Sequence, residues 1–489
     1  MTKLLLAFLS VGLLGFNVAQ SAEEKTTSKK PNVLFIAIDD LRDWVGYLGN
    51  KQVKTPNLDK LAARGVHFTR SFCASPCCNP SRSALLTGMR PGTSGVYNNS
   101  DDWRKIVPEG TVTLPLHFKN NGYYVAGAGK IFHGGMLRLS DWDDYISERG
   151  RGNEDDPNAA GGGKKKRKAE LKEGWDGVGG IRFGPLDCDD KDMADYQSVS
   201  YIVKKLGQPQ EKPFFFACGM HKPHMPWSVP KKYYELYPLD KIQLPKIQEN
   251  DLDDIPPAGI AMARPDGDHA AILKSGRWKE AVQEYLATIT FCDAMIGRLI
   301  EGFDKSAYKD NTIIVLWSDH GWHLGEKQHW RKFALWEEAT RAPYMWIVPG
   351  VTKPGGVCSR TVDYMQIYPT LCDLCGLSVP KQVEGVSIRK LLEKPDASWD
   401  KPAVTTWLHN NHAVRNEDWR YIRYANGDEE LYHNSMDPLE WTNLAKKPEY
   451  AKEKEELAKW LPRENKEPGG KVKDPEKKVK KAKKRAAAS

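Results

Sequence analysis

PNVLFIAIDD, residues 31–40, decides the fold. Val33 to Ile38 are all apolar, and the run stops at two aspartates. A strand with one wet face alternates apolar and polar residues, whereas an unbroken apolar run of this length predicts a strand buried on both faces, as in a parallel sheet. Similar runs recur at 124–128, 214–218, 312–317 and 345–348. Helical patterns lie between them. Thr55 is placed to cap a helix, Pro56 suits its first position, Leu58, Leu61 and Ala62 share a face, and Gly65 stops it. Val282, Tyr285, Leu286, Ile289, Met295, Ile296 and Leu299 mark a second, longer helix. Strands alternating with helices predict an α/β fold with a large, mostly parallel sheet flanked by helices.

The flanks of this core differ in composition. Residues 1–22 combine Lys3, an apolar run from Leu4 to Phe16 and the small residues Ala19, Ser21 and Ala22, which predicts a secretory signal peptide and a secreted or periplasmic destination. The run is short for a bilayer span, so no stable membrane insertion is expected. The main domain is expected over 31–385, with a mobile surface insertion at about 149–180, where Gly, Asp and Lys dominate. Beyond Gly385, short segments separated by turn residues predict a smaller C-terminal α+β subdomain, 386–465, containing an antiparallel sheet. Residues 466–489 hold nine lysines and one arginine against three acids and predict a disordered tail. That tail supplies most of the formal charge of +8, so the basic balance is no sign of a nucleic-acid partner. Nine cysteines in a long chain do not form a compact disulfide scaffold.

Ligands of open α/β sheets gather at the carboxyl ends of the strands. The residues that follow the apolar runs are Asp39 and Asp40, then Lys130 and His133, then His221 and His224, then Asp319 and His320. Carboxylates and imidazoles at one rim, with cations beside them, suit a divalent-cation site acting on an anionic tetrahedral group such as a sulfate or phosphate ester. Each pair alone has a plainer reading as a cap, a turn or a proline-bounded loop. Trp103, Trp322 and Trp330 could stack on a sugar, although aromatics more often fill cores. CDLC at 372–375 has redox spacing but lies in an apolar helical stretch, where packing is the expectation.

CNPSRSALLTG, residues 78–88, resembles the sulfatase signature: a Cys followed at fixed spacing by Pro, Arg and a closing Thr-Gly. The resemblance runs from Asn32 to about Leu444. IDDLR (38–42), GKIFHG (129–134), HKPHMPW (221–227) and SDHGWHLGE (318–326) make it most similar to the iduronate 2-sulfatase group. Two residues separate Lys130 from His133, as in that group, and His320 stands where many sulfatases carry Asn. The resemblance implies an alkaline phosphatase-like fold and hydrolysis of a sulfated carbohydrate, with a 2-O-sulfated uronic acid as the specific expectation. It also implies that a formylglycine-generating enzyme converts Cys78 to formylglycine, whose hydrate attacks sulfur. Asp39, Asp40, Asp319 and His320, with modified Cys78, would hold one Ca2+. Arg82 and Lys130 would anchor the hydrate and the carboxylates, His224 or Lys332 would protonate the leaving alcohol, and His133 would take the proton that lets sulfate depart. In a eukaryotic host the destination would be lysosome-like. Competing readings are a phosphonate or phosphodiester hydrolase of the same superfamily and a non-catalytic carbohydrate-binding relative.

Overall fold

The computed structural model describes residues 30–147 and 176–469. The expected signal peptide, most of the expected insertion and the tail beyond Gly469 lie outside the described residues.

An eight-stranded sheet is built from β1 (Asn32–Asp39), β2 (Val66–Phe72), β3 (Tyr124–Gly129), β4 (Asp144–Ser147), β7 (Phe214–Pro223), β8 (Thr312–Ser318), β11 (Tyr344–Ile347) and β12 (Gly356–Asp363). Two hairpins, β5 (Asp176–Val178) with β6 (Ile181–Phe183) and β9 (His323–Leu324) with β10 (Trp330–Arg331), stand outside it. The order is β12-β2-β11-β8-β1-β7-β3-β4, and only β11 runs against its neighbours. β1 is central, with Val33 level with Phe215 on one side and Ile313 on the other.

Its unbroken apolar run has a direct physical cause. Leu34, Ile36 and Ile38 face one core, shared with the helices Ala194–Leu206 and Trp278–Asp304. Val33, Phe35 and Ala37 face a second core with Leu85, Leu86 and the helix Ile367–Leu374. Every side chain from Val33 to Ile38 is fully buried, each of the larger ones contributing about 1.5–3 kcal/mol by leaving water. Because β8, β1, β7 and β3 are mutually parallel, their carboxyl ends meet on one rim.

A separate antiparallel sheet follows in order: β13 (Ala403–Thr406), β14 (His412–Arg415), β15 (Trp419–Arg423) and β16 (Glu429–His433). One face packs on Ala334, Leu335 and Trp336 of the large unit, and the other on the helix Ala451–Ala458. The chain then returns to the large unit, where the Lys466 amide donates to Gly92 O and the Gly469 amide to Gly95 O. The first residues of the Lys-rich segment are thus held in place.

Candidate active site

Strand ends and one helix N-terminus build the site. Asp39 is the last residue of β1, and Asp40 follows in the left-handed region at φ 60°. That conformation costs a non-glycine residue of order 1 kcal/mol. It is held by three bonds: the Asp40 amide donates to Asp319 Oδ1 at 3.0 Å, the Tyr285 hydroxyl donates to Asp40 O at 2.7 Å, and the Leu41 amide donates to Ser318 Oγ at 3.0 Å. Cys78 opens the helix Cys78–Thr87, every residue of which is buried. One donor atom each from Asp39, Asp40, Cys78, Asp319 and His320 lies within 4.8 Å of all the others. Asp40 Oδ2 is buried with no hydrogen-bond partner among the described residues. A buried carboxylate oxygen left open inside a cluster of three carboxylates is what a hard, oxygen-seeking divalent cation satisfies, so the carboxylates fit Ca2+, with His320 adding one nitrogen donor.

Three cations balance the three carboxylates. Arg82 is wholly buried, donating from Nε to Asp319 Oδ2 at 2.8 Å and from its terminal nitrogens to the carbonyls of Ile38, Lys130 and Ile131 and to Asp39 Oδ1. Lys130 Nζ pairs with Asp39 Oδ2. Lys332 Nζ lies 2.6 Å from Asp40 Oδ1 and 2.9 Å from Cys78 Sγ, in direct contact with the candidate nucleophile. Burial works against the charged form of Asp39, but Lys130, His224 and Arg82 outweigh it and hold the carboxyl well below its usual range. Burial also pushes the Cys78 thiol well up, against the pull of Lys130 and Lys332, so the unmodified side chain is a neutral thiol.

The imidazoles stand at the edge of this cluster. His133 is half-buried with Nδ1 unpartnered among the described residues, and burial, then Lys130, pushes its pKa down to about 3. It is a neutral base. His224 Nε2 is 3.8 Å from Asp40 Oδ2, and its Nδ1 is 2.6 Å from Met225 O. His221 joins His224 and Asp39 in a second close group.

Several supporting residues carry no local sequence signal. Asp195, on the helix Ala194–Leu206, accepts from the amides of His221 and Lys222 and so fixes the His-bearing segment. Lys222 is buried, its Nζ binds Pro226 O, and burial lowers its pKa to about 8. Phe333, beside Lys332, stacks on Trp407 from the β13–β14 connection at 5.1 Å between ring centroids. Trp103, Trp322 and Trp330 are buried to within 2% and belong to the core, not to a sugar-binding face. Trp103 stacks on Phe132 and donates to Met136 O, bracketing the His133 turn. Cys372 and Cys375 are buried free thiols packed in the second core. Among the described residues no helix is long and apolar enough to cross a membrane.

The Sulfatase family model matches residues 31–377, and the model for the N-sulphoglucosamine sulphohydrolase C-terminal region matches 325–467. A sulfatase of Formosa agariphila is 39% identical, the match covering 94% of this chain and 92% of that one. Human iduronate 2-sulfatase is 31% identical, with 90% and 96% covered. A solved structure described as a 2-O GAG sulfatase superposes with a TM-score of 0.67 at 22% identity, covering 94% of each chain, and shares the fold. With its signature cysteine buried among carboxylates and cations, its mostly parallel sheet and these matches over nearly its whole length, the chain belongs to the sulfatase family.

Proposed function

We propose that the protein is an exported sulfuric ester hydrolase that removes sulfate from a sulfated carbohydrate, with a 2-O-sulfated uronic acid as the substrate class. The observation that carries this reading is the placement of Cys78. It is wholly buried at a helix N-terminus, 2.9 Å from Lys332 Nζ and within the Asp39, Asp40, Asp319 and His320 cluster. A neutral buried thiol is a poor nucleophile, so this surrounding makes chemical sense for a modified side chain. Formylglycine at position 78 supplies a hydrated aldehyde, an oxygen nucleophile with a second hydroxyl already in place for the next step. Ca2+ held by Asp39, Asp40, Asp319 and His320 supplies a Lewis acid that draws charge from the sulfuryl oxygens.

The chain's own residues divide the remaining work. Arg82 and Lys130 fix the Asp39 and Asp319 carboxylates by charged hydrogen bonds, so the cluster does not reorganise as charge develops. Lys332, touching both Sγ and Asp40, orients the nucleophilic group and places a cation where the departing oxygen gains charge. His224 stands at the open side of Asp40; burial holds its pKa well down, so in the free protein the ring is neutral with Nδ1 donating to Met225 O. It protonates the alcohol, whose alkoxide is a poor leaving group near neutral pH, once the anionic substrate beside it raises its proton affinity. His133 offers an open Nδ1 for the proton released when sulfate leaves, a role that rests on the sulfatase resemblance; burial and Lys130 keep the ring neutral but also make it a weak base until anionic sulfate sits beside it. Relatedness to iduronate 2-sulfatase supports the uronic acid reading. The test is sulfate release across a panel of defined sulfated disaccharides, with peptide mass spectrometry of the segment containing Cys78. Turnover by protein carrying only unmodified Cys78 would overturn the chemistry, and turnover of an aryl phosphodiester in preference to any sulfate ester would overturn the reaction class.

A further inference from the structure

Four residues beyond Asp40 the chain enters the wall of a second concavity. Trp44 lines it, and since a residue pair four apart cannot exceed an extended span of about 14 Å, this wall begins close to the catalytic rim. The connection is also physical: the Trp44 ring packs 6.5 Å from that of Tyr285, whose hydroxyl donates to Asp40 O. The cleft has a volume of about 590 Å³ and lies between residues 49–54 and 236–246. Four exposed lysines, Lys51, Lys54, Lys241 and Lys246, line it with no acidic residue among the lining. This local excess of positive charge stands out on a chain whose formal excess otherwise lies mainly in the terminal tail.

The cleft is built, not a chance meeting of side chains. Its two walls are locked by reciprocal amide bonds: the Gln243 amide donates to Gln52 Oε1 at 2.6 Å, and Gln52 Nε2 donates to Gln243 O at 3.2 Å. Lys54 crosses the same gap, with Nζ donating to Leu236 O at 2.9 Å and lying 5.6 Å from the Tyr237 ring centre. Lys241 has only the exposed Asp240 beside it, at 3.2 Å. One braced cation, Lys54, three exposed lysines, amide groups and an aromatic face in one concave surface match a sugar chain bearing several sulfates or carboxylates. A flat anionic bilayer matches it less well, because the charge lies in a recess.

We propose that this cleft is an accessory subsite holding the anionic groups of a sulfated polysaccharide whose reacting sulfate lies at Cys78, so that the enzyme acts on chains longer than a disaccharide. The proposal deepens the sulfatase reading and rests on it for the substrate class. The test uses the full chain, leaves Lys54 in place because it braces the wall, and compares wild type with Lys51→Ser/Lys241→Ser/Lys246→Ser. The probes are a heparin-derived hexasaccharide, the corresponding disaccharide, and vesicles of equimolar phosphatidylserine and phosphatidylcholine. The triple variant is expected to bind the hexasaccharide at least ~10-fold more weakly, with the deficit shrinking as salt rises. Disaccharide binding and sulfate release from the disaccharide should be unchanged. The basic tail is present in both proteins and cancels. Hexasaccharide affinity equal to wild type, or a loss confined to the vesicles, would overturn the subsite. If wild type releases sulfate from no carbohydrate while cleft-dependent hexasaccharide binding persists, the catalytic reading fails and the polyanion site stands.

Discussion

Removing the Arg82 guanidinium should cost the fold more than any other single change in the site. Its side chain is fully buried and makes five contacts: Asp319 Oδ2 at 2.8 Å, Lys130 O at 2.6 Å, Ile131 O at 3.1 Å, Ile38 O at 3.1 Å and Asp39 Oδ1 at 3.4 Å. Asp39 keeps Lys130 as a partner, but Asp319 loses its strongest cation while remaining at zero exposure. Breaking a buried pair from one side typically costs about 3–5 kcal/mol, because the charge left behind is uncompensated. Three main-chain carbonyls also lose a donor, each adding of order 1 kcal/mol unless water enters. For Arg82→Met, which keeps most of the stem packing, the expected loss is therefore about 4 kcal/mol or more, against a total stability of order 5–15 kcal/mol. Arg82→Lys should lose roughly half as much, since an ammonium keeps the charge but cannot reach Asp319 and the carbonyls together. Urea unfolding of the three proteins without added metal, followed by fluorescence and far-UV circular dichroism, measures these differences. A loss below about 1 kcal/mol for Arg82→Met, with an unchanged dependence on urea, would refute the view that Arg82 neutralises the cluster.

Ca2+ should raise stability by about 2.7 kcal/mol at a hundred times its dissociation constant, and Asp40→Asn should remove most of that increment; thermal unfolding in Ca2+ and in chelator reads this without any activity measurement. His224→Ala should lower turnover of a sugar sulfate by ~100-fold while harming an activated aryl sulfate distinctly less, because a phenolate leaves without a proton; equal losses on both substrates would remove His224 from the leaving-group role. Glu284 titrates in the folded chain at about 8, raised from 4.5 by burial. The folded state therefore keeps a proton that the unfolded chain has lost, and stability should fall by about 1.4 kcal/mol per pH unit as pH rises between roughly 4.5 and 8, then level off. Glu284→Gln should remove that slope, and an unfolding midpoint series across this range that is identical for both proteins would refute it.

The central strands were legible because both their faces are buried, which leaves no polar position to interrupt the run. The same rule hides β2 and β12. Val66–Phe72 reads VHFTRSF, with His67, Thr69 and Arg70 only half-buried, and β12 is an edge strand with its own exposed positions. Neither produces a continuous apolar signal. Thr55 shows a different limit. It stands before the helix Pro56–Ala62 as expected, yet its hydroxyl serves Gly46 and Asp59. The helix amides of Asn57 and Leu58 are met instead by Asp293, from a helix more than 200 residues away. Local cap chemistry loses to a partner that only the tertiary structure supplies. The site residues after strands were legible by the strand-end rule, whereas Asp195 was not, because nothing near it in sequence marks which amides it accepts from.

Lys332 follows only the two-residue strand β10, not a strand of the large sheet, so the strand-end rule does not find it, and its position shows why the C-terminal sheet belongs to the chemistry. It sits between Arg331 at φ 80° and Phe333 at φ 77°, both left-handed, a conformation costing of order 1–2 kcal/mol per residue without glycine. Something must hold that turn. Arg331 Nε binds Asp268 Oδ2 at 2.6 Å, the Phe333 amide donates to Pro76 O at 3.1 Å, and the Phe333 ring stacks on Trp407. Just beyond, Arg420 of β15 bridges Glu337 and Glu440 with zero exposure and donates to Leu335 O, while Trp336 Nε1 donates to Glu430 of β16. The ammonium touching Cys78 is thus aimed by a strained turn, and that turn is braced from the antiparallel sheet. A cation that must meet both Asp40 and the nucleophile within 3 Å tolerates little displacement, so the precision of the site depends on packing from the far end of the chain as much as on the residues that form the cluster.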